Sequence, residues 1–135
     1  MKDAACWLKE GMEGERGEDV RDCNVASQVG SGSLDVYATP SMIALMEGAA
    51  VECVGDCLPE GWTTVGMSLD VRHLAPTTMG GRIRARATLV EIAGRRLGFE
   101  VTVFDDVGKV GEGRHQRYCV NEEDFLQGAV DRTEQ

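Results

Sequence analysis

Three stretches in the second half of the chain alternate apolar and polar residues with a period of two. Val65, Met67, Leu69 and Val71 share a face in the first, Ile83, Ala85, Ala87 and Leu89 in the second, and Leu97, Phe99, Val101 and Val103 in the third. Successive side chains of a strand point to opposite faces, so each stretch reads as a strand with one buried face. Ala93-Gly94-Arg95 joins the second to the third, and Asp105-Asp106-Val107-Gly108 follows the third. Both suit tight turns between antiparallel neighbours. A further strand over about Lys109 to Val120 completes the sheet, and Glu13 to Cys23 offers a first strand of weaker pattern.

Before the meander the pattern changes to a helical one. Thr39 can cap the free amides of a helix and Pro40 is tolerated in its first turn, so a helix is predicted from Thr39 to about Leu58, ahead of Pro59. At about 100° per residue, Ile43, Met46, Ala50, Val51, Val54 and Leu58 gather on one face, opposite Ser41, Glu52 and Asp56. The small, polar run from Val25 to Asp35 reads as a loop lying over another part of the fold. One long helix, a strand before it and an antiparallel meander after it make an α+β protein whose sheet wraps around a central helix.

At 135 residues the chain has room for one domain, residues 1–135, with 1–12 expected as a flexible extension. No apolar run reaches the roughly 18 residues of a membrane span, and the first residues lack the pattern of a secretory signal. A cytoplasmic, membrane-free location is the expectation. The five cysteines, Cys6, Cys23, Cys53, Cys57 and Cys119, are odd in number and form no CxxC pair. They read as reduced, small buried packing residues, with neither a disulfide framework nor a metal site. A net charge of −9 disfavours nucleic acid as a partner.

Three residues break the apolar patterning. Glu47 falls among Ile43, Val51, Val54 and Leu58, about 140° round the wheel from Glu52, so it is expected to point into the core. A buried carboxylate needs a partner or a use, although a rotated helix or a dimer rim would also account for it. His73 continues the inward face of the first meander strand, either as a satisfied structural group or as part of a site shared with Glu47. Thr39 is a cap, or a hydroxyl placed where the helix N-terminus favours developing negative charge. Arg82, Arg84 and Arg86, with Arg95 and Arg96, form either a solvated outer face or contacts for the phosphates of an anionic cofactor such as coenzyme A. Arg114, His115 and Arg117 on the last strand leave the same two readings open.

The segments DVYATPSMIALMEGAA, TVGMSLDVRHLAPTTMGGRIRARATL and GEGRHQRYCV carry a resemblance that runs from about Lys9 to Phe125. They resemble the hotdog-fold thioesterase family that includes the fluoroacetyl-CoA thioesterase. The order and spacing of Thr39, Glu47 and His73 are similar to that family's catalytic threonine, glutamate and histidine. The resemblance implies a hotdog fold and hydrolysis of an acyl-CoA thioester, with coenzyme A entering as substrate and no separate cofactor. It implies that the Gly66 backbone helps hold the thioester carbonyl, and it aligns Arg117 with an arginine of the family's last strand. Gly30 and Ser33 stand where the fluoroacetyl-CoA enzyme has gating phenylalanines, which argues against selectivity for a fluorinated acyl group. It also implies a homodimer with the acyl site at the subunit interface, a tetramer being the alternative. A non-catalytic acyl-CoA binding or sensing module on the same fold is the rival reading. A hotdog dehydratase ranks third, because its Asp and His motif is missing.

Overall fold

The computed structural model describes residues 1–134. Among these, five strands make one antiparallel sheet: β1 (Glu13–Asp19), β2 (Trp62–His73), β3 (Arg82–Ala93), β4 (Arg96–Phe104) and β5 (Lys109–Asn121). Their order across the sheet is β1-β3-β4-β5-β2. The helices are α1 (Ala26–Val29), α2 (Thr39–Val54) and α3 (Glu122–Thr133). The sheet curls around α2, which contacts β1, β2, β3 and β4. No helix among the described residues is long and apolar enough to cross a membrane.

β3 and β4 realise the alternation completely: Ile83, Ala85, Ala87 and Leu89 on one and Leu97, Phe99, Val101 and Val103 on the other are buried beneath α2. Each large side chain so buried contributes about 1.5–3 kcal/mol. Their turn has two residues, Gly94 and Arg95, because Ala93 pairs with Arg96. Gly94 takes the positive φ of 64° that such a turn needs. β1 is shorter than expected. It stops at Asp19, and the buried side chain of Asn24 turns the chain by accepting from the Arg21 amide and donating to the Asp19 carbonyl.

α2 differs from the helical wheel in ways that bear on the site. Its buried face is Met42, Leu45, Met46, Ala49, Ala50, Cys53 and Val54, whereas Val51 is exposed. Small residues on this face let β1 approach closely. The N-cap is Ala38, not Thr39; Thr39 is already helical and Pro40 follows it in the first turn. At the other end the helix tightens into a 3-10 turn over Gly55–Cys57. Leu58 is forced to an extended conformation ahead of Pro59. Gly14 shows how close the approach is, since a Cβ there would stand 2.6 Å from the Ala49 carbonyl oxygen and closer still to the Cys53 nitrogen. Those are helix backbone atoms and cannot swing aside. Gly14→Ala is therefore expected to cost about 3 kcal/mol, read as a lower urea midpoint at unchanged m-value. A variant as stable as the native chain would contradict this packing.

Residues 1–12, expected as a flexible extension, are instead anchored: Ala4 and Leu8 are buried, and the Ala4 amide donates to the Gly94 carbonyl. All five cysteines are free, but only Cys53 and Cys119 are buried, so the packing role does not extend to Cys6, Cys23 and Cys57.

In β2 the expected inward set changes phase. The register slips between Gly66 and Ser68, leaving Met67 without a partner opposite it on β5. Such a bulge inserts one extra residue and reverses the faces beyond it. Before the bulge Thr64 and Gly66 share a face with Cys119 and Arg117; after it Leu69, Val71 and His73 share that face with His115, Gly113 and Gly111. Val65, expected inside, pairs with Tyr118 on the outer face. Met67 is 52% exposed.

Candidate functional site

Two clusters of polar groups lie on the inner side of β2. The first joins the start of α2 to the end of β2. With the cap position filled by Ala38, the Thr39 hydroxyl is free to meet the His73 imidazole, and Oγ1 lies 2.8 Å from Nδ1. The Tyr37 ring stands edge-on to His73, with centroids 6.4 Å apart. The Tyr37 hydroxyl donates to Glu18, and burial is the first cause that pushes this phenol above its ordinary range, the Glu18 bond adding to it. His73 Nε2 is buried without a hydrogen-bond partner among the described residues. The pair faces a cavity of about 300 Å³, walled by Ser31, Val36, Tyr37, Leu74, Ala75 and Pro76. Burial lowers the His73 pKa from its usual 6.5, with the Ala75 backbone pulling the other way. The neutral imidazole is thus favoured, and a bare nitrogen beside a hydroxyl is what proton removal requires.

The second cluster is centred on Arg117. Its guanidinium is buried and donates from Nη1 to Glu47 Oε2 at 3.0 Å, from Nε to Thr64 Oγ1 at 2.8 Å, and from Nη2 to the Thr64 carbonyl at 3.0 Å. Burial lowers the Arg117 pKa, and the Glu47 contact opposes that. Glu47 does not enter the core as the wheel suggested; its side chain is 37% exposed and lies along the Gly66 backbone. A Cβ at Gly66 would come within 2.5 Å of Glu47 Oε2 and 3.4 Å of Arg117 Nη1, so only glycine lets the carboxylate approach β2 this closely. Thr64 was not legible as a site residue, because reading β2 as one unbroken alternation put it on the outer face.

The structure therefore joins Thr39 to His73, and Glu47 to Gly66 and Arg117, but it does not bring the two groups together within one chain. Eight residues of α2 separate Thr39 from Glu47, a rise of about 12 Å. Along β2, Gly66 and His73 are roughly 20 Å apart. Gly30 ends α1 with a φ of +80° and nothing beside it, and Ser33 is exposed; Ser31, between them, is the residue that reaches the cavity. On the outer face Arg82 and Arg86 pair with Asp19 and Glu15 of β1, and Arg96 pairs with Glu91. These exposed pairs contribute little to stability.

A pH dependence follows from the partly buried His73 and the buried His115. Burial lowers the pKa of His115, as it does that of His73, with the Ser68 backbone opposing and Arg117 assisting. The unfolded chain takes up these protons near pH 6.5, the ordinary value, while the folded chain does so only lower. The stability is fully present above that value and falls as pH drops through it towards the folded values. The thermal midpoint at about pH 5 is expected below that at pH 7.5, with a smaller drop in His115→Gln. Equal pH profiles for the two proteins would contradict the neutral, buried state of His115.

A five-stranded antiparallel sheet curled around one long helix, with these polar clusters on its inner side, defines a hotdog-fold protein of the thioesterase class. Residues 20–123 match the family model of the fluoroacetyl-CoA-specific thioesterase FlK, and the chain belongs to that family. The chain is 35% identical to the fluoroacetyl-CoA thioesterase of Streptantibioticus cattleyicolor over 91 residues, which are 67% of this chain and 66% of that protein. Among solved structures it is similar to a variant of the fluoroacetyl-CoA thioesterase in complex with acetyl-CoA, with a TM-score of 0.87 and 26% identity over 93% of this chain and 99% of that one. It is also similar to a Thermus thermophilus hypothetical protein described as a thioesterase superfamily member, with a TM-score of 0.83 and 26% identity over 94% and 96% of the two chains.

Proposed function

We propose that this chain hydrolyses a small acyl-CoA thioester at a site completed by a second copy of itself. The observation that carries the reading is the Thr39–His73 contact at the mouth of a cavity, at the N-terminal end of a helix. His73 Nδ1 takes the Thr39 proton as Oγ1 attacks the thioester carbonyl. The oxyanion is met by a backbone amide, for which Gly66 is the candidate, and collapses with loss of the coenzyme A thiolate. Water then cleaves the acyl-threonine, with Glu47 as its base. Coenzyme A enters as part of the substrate, so the reading needs no resident cofactor or metal.

The second copy follows from the division of the groups. β2 is an outer strand of the sheet, twelve residues long, and among the described residues its outer edge is unpaired. Pairing that edge antiparallel with the same edge of another copy carries the Thr39–His73 end of one protomer towards the partner's Glu47 and Gly66. A two-fold arrangement makes two such sites. Membership in a family whose named member is a fluoroacetyl-CoA thioesterase supports acyl-CoA as the substrate class. With Ser31 as the loop residue at the cavity and no phenylalanine among its lining residues, acyl groups other than fluoroacetyl are favoured. The unbridged cysteines fit a reducing, cytoplasmic setting.

The test is free thiol release from short, branched and aromatic acyl-CoAs by the native chain and by Glu47→Gln. Native turnover that falls about a hundredfold in the variant is expected. Full turnover by Glu47→Gln would remove Glu47 from the chemistry, and tight binding without native turnover would identify a sensing module instead.

A further inference from the structure

His115 stands directly behind the Glu47 cluster and takes no part in the chemistry proposed above. It is 1% exposed, and its ring stacks on Phe99 with centroids 6.1 Å apart and planes at 30°. Nδ1 lies 2.9 Å from the Ser68 carbonyl oxygen. Nε2 lies 3.2 Å from Arg117 Nη1. A carbonyl can only accept and a guanidinium can only donate, so both contacts are hydrogen bonds in one tautomer alone: Nδ1 carries the hydrogen and Nε2 is bare. A cationic ring would set an N–H against the arginine.

The β2 positions held by Arg117 and His115, Thr64 and Ser68, flank the bulge of that strand. Arg117 holds the strand at Thr64, two residues before Gly66, and His115 holds it at Ser68, two residues after. The extra residue of the bulge lies between Gly66 and Ser68, where the ladder is irregular and the strand depends on side chains for its path. The same Arg117 nitrogen that donates to His115 also donates to Glu47.

We infer that His115 is a positioning residue: as a neutral imidazole it ties the β2 bulge beside Gly66 to the guanidinium that aims Glu47. Loss of the tie lets Arg117 and the bulge drift independently, which displaces Glu47 relative to the Gly66 backbone. The inference rests on the reading that Glu47 and Gly66 serve thioester hydrolysis. The charged groups facing the ring are Arg117 on its own strand and, through it, Glu47 on α2; β2 offers the Ser68 carbonyl and β4 the uncharged Phe99.

Two measurements on the full chain test it. Long-range proton–nitrogen NMR of the native protein at neutral pH is expected to find His115 with a protonated Nδ1 and a bare Nε2; a proton on Nε2 would overturn the assignment. In thiol-release kinetics, His115→Phe keeps the stack on Phe99 and loses both hydrogen bonds, so kcat should fall about tenfold or more with KM within about twofold. His115→Gln returns an acceptor to Arg117 and should bring kcat to within about threefold of native. Native kcat in His115→Phe, or equal losses in the two variants, would overturn the positioning role. Absence of hydrolysis by the native chain would sink the reading of activity instead, and the nitrogen spectrum would still judge the tie.

Discussion

Thr39→Ala is expected to lower kcat for acyl-CoA hydrolysis about a hundredfold or more while the fold stays intact. The residue is exposed at the start of α2 and caps nothing, so removing its hydroxyl takes away one hydrogen bond to His73 and leaves the helix start to Ala38 and Pro40. The cost in stability should stay within about 1 kcal/mol. In the proposed mechanism the cost in rate is large, because the hydroxyl is there the group that His73 activates. Thr39→Ser keeps the oxygen and should keep most of the rate. A loss below about tenfold in the alanine variant, measured as thiol release at saturating substrate, would mean that water and not the threonine is the nucleophile.

Arg117→Met should have a large effect on stability, about 3 kcal/mol in guanidinium denaturation. The methionine fills similar space but leaves the Thr64 carbonyl and His115 Nε2 buried without their donor. Glu47, with a side chain 37% exposed, can recover water, which keeps the figure below what a fully buried ion pair would show. Hydrolysis should fail along with stability, since Glu47 loses the group that orients it. If Arg117 acts through Glu47, combining Arg117→Met with Glu47→Gln should cost less than the sum of the two single changes. Strict additivity would contradict the coupling.

The meander and the long helix were legible because both rest on periodicity. Ile83 to Leu89 and Leu97 to Val103 lie in the core as their alternation required. The β2 bulge was not legible. The run Val65, Met67, Leu69, Val71 is as regular as its neighbours in sequence, and the slip at Met67 exists only against β5. Missing it hid Thr64 and placed Val65 inside. On α2 the wheel failed for a related reason: apolar residues surround most of the helix, and the sheet that curls around it decides which of them are covered. The Thr39–His73 contact was within reach of the sequence, because a helix start and a strand end can be placed from it to within a residue. The partnership of Glu47 with Arg117 required knowing that β5 lies beside β2. The resemblance grouped Thr39, Glu47 and His73 as one site, but it could not say that they fall into two separate groups in one chain.

The most direct test of that division is complementation between inactive variants. Thr39→Ala and Glu47→Gln, each nearly inactive alone, are unfolded together, refolded as a one-to-one mixture and assayed for thiol release. If each site takes Thr39 from one copy and Glu47 from the other, half the dimers are mixed and each mixed dimer holds one intact site, so activity should return to about a quarter of native. A mixture no more active than its two components would contradict a site shared between copies.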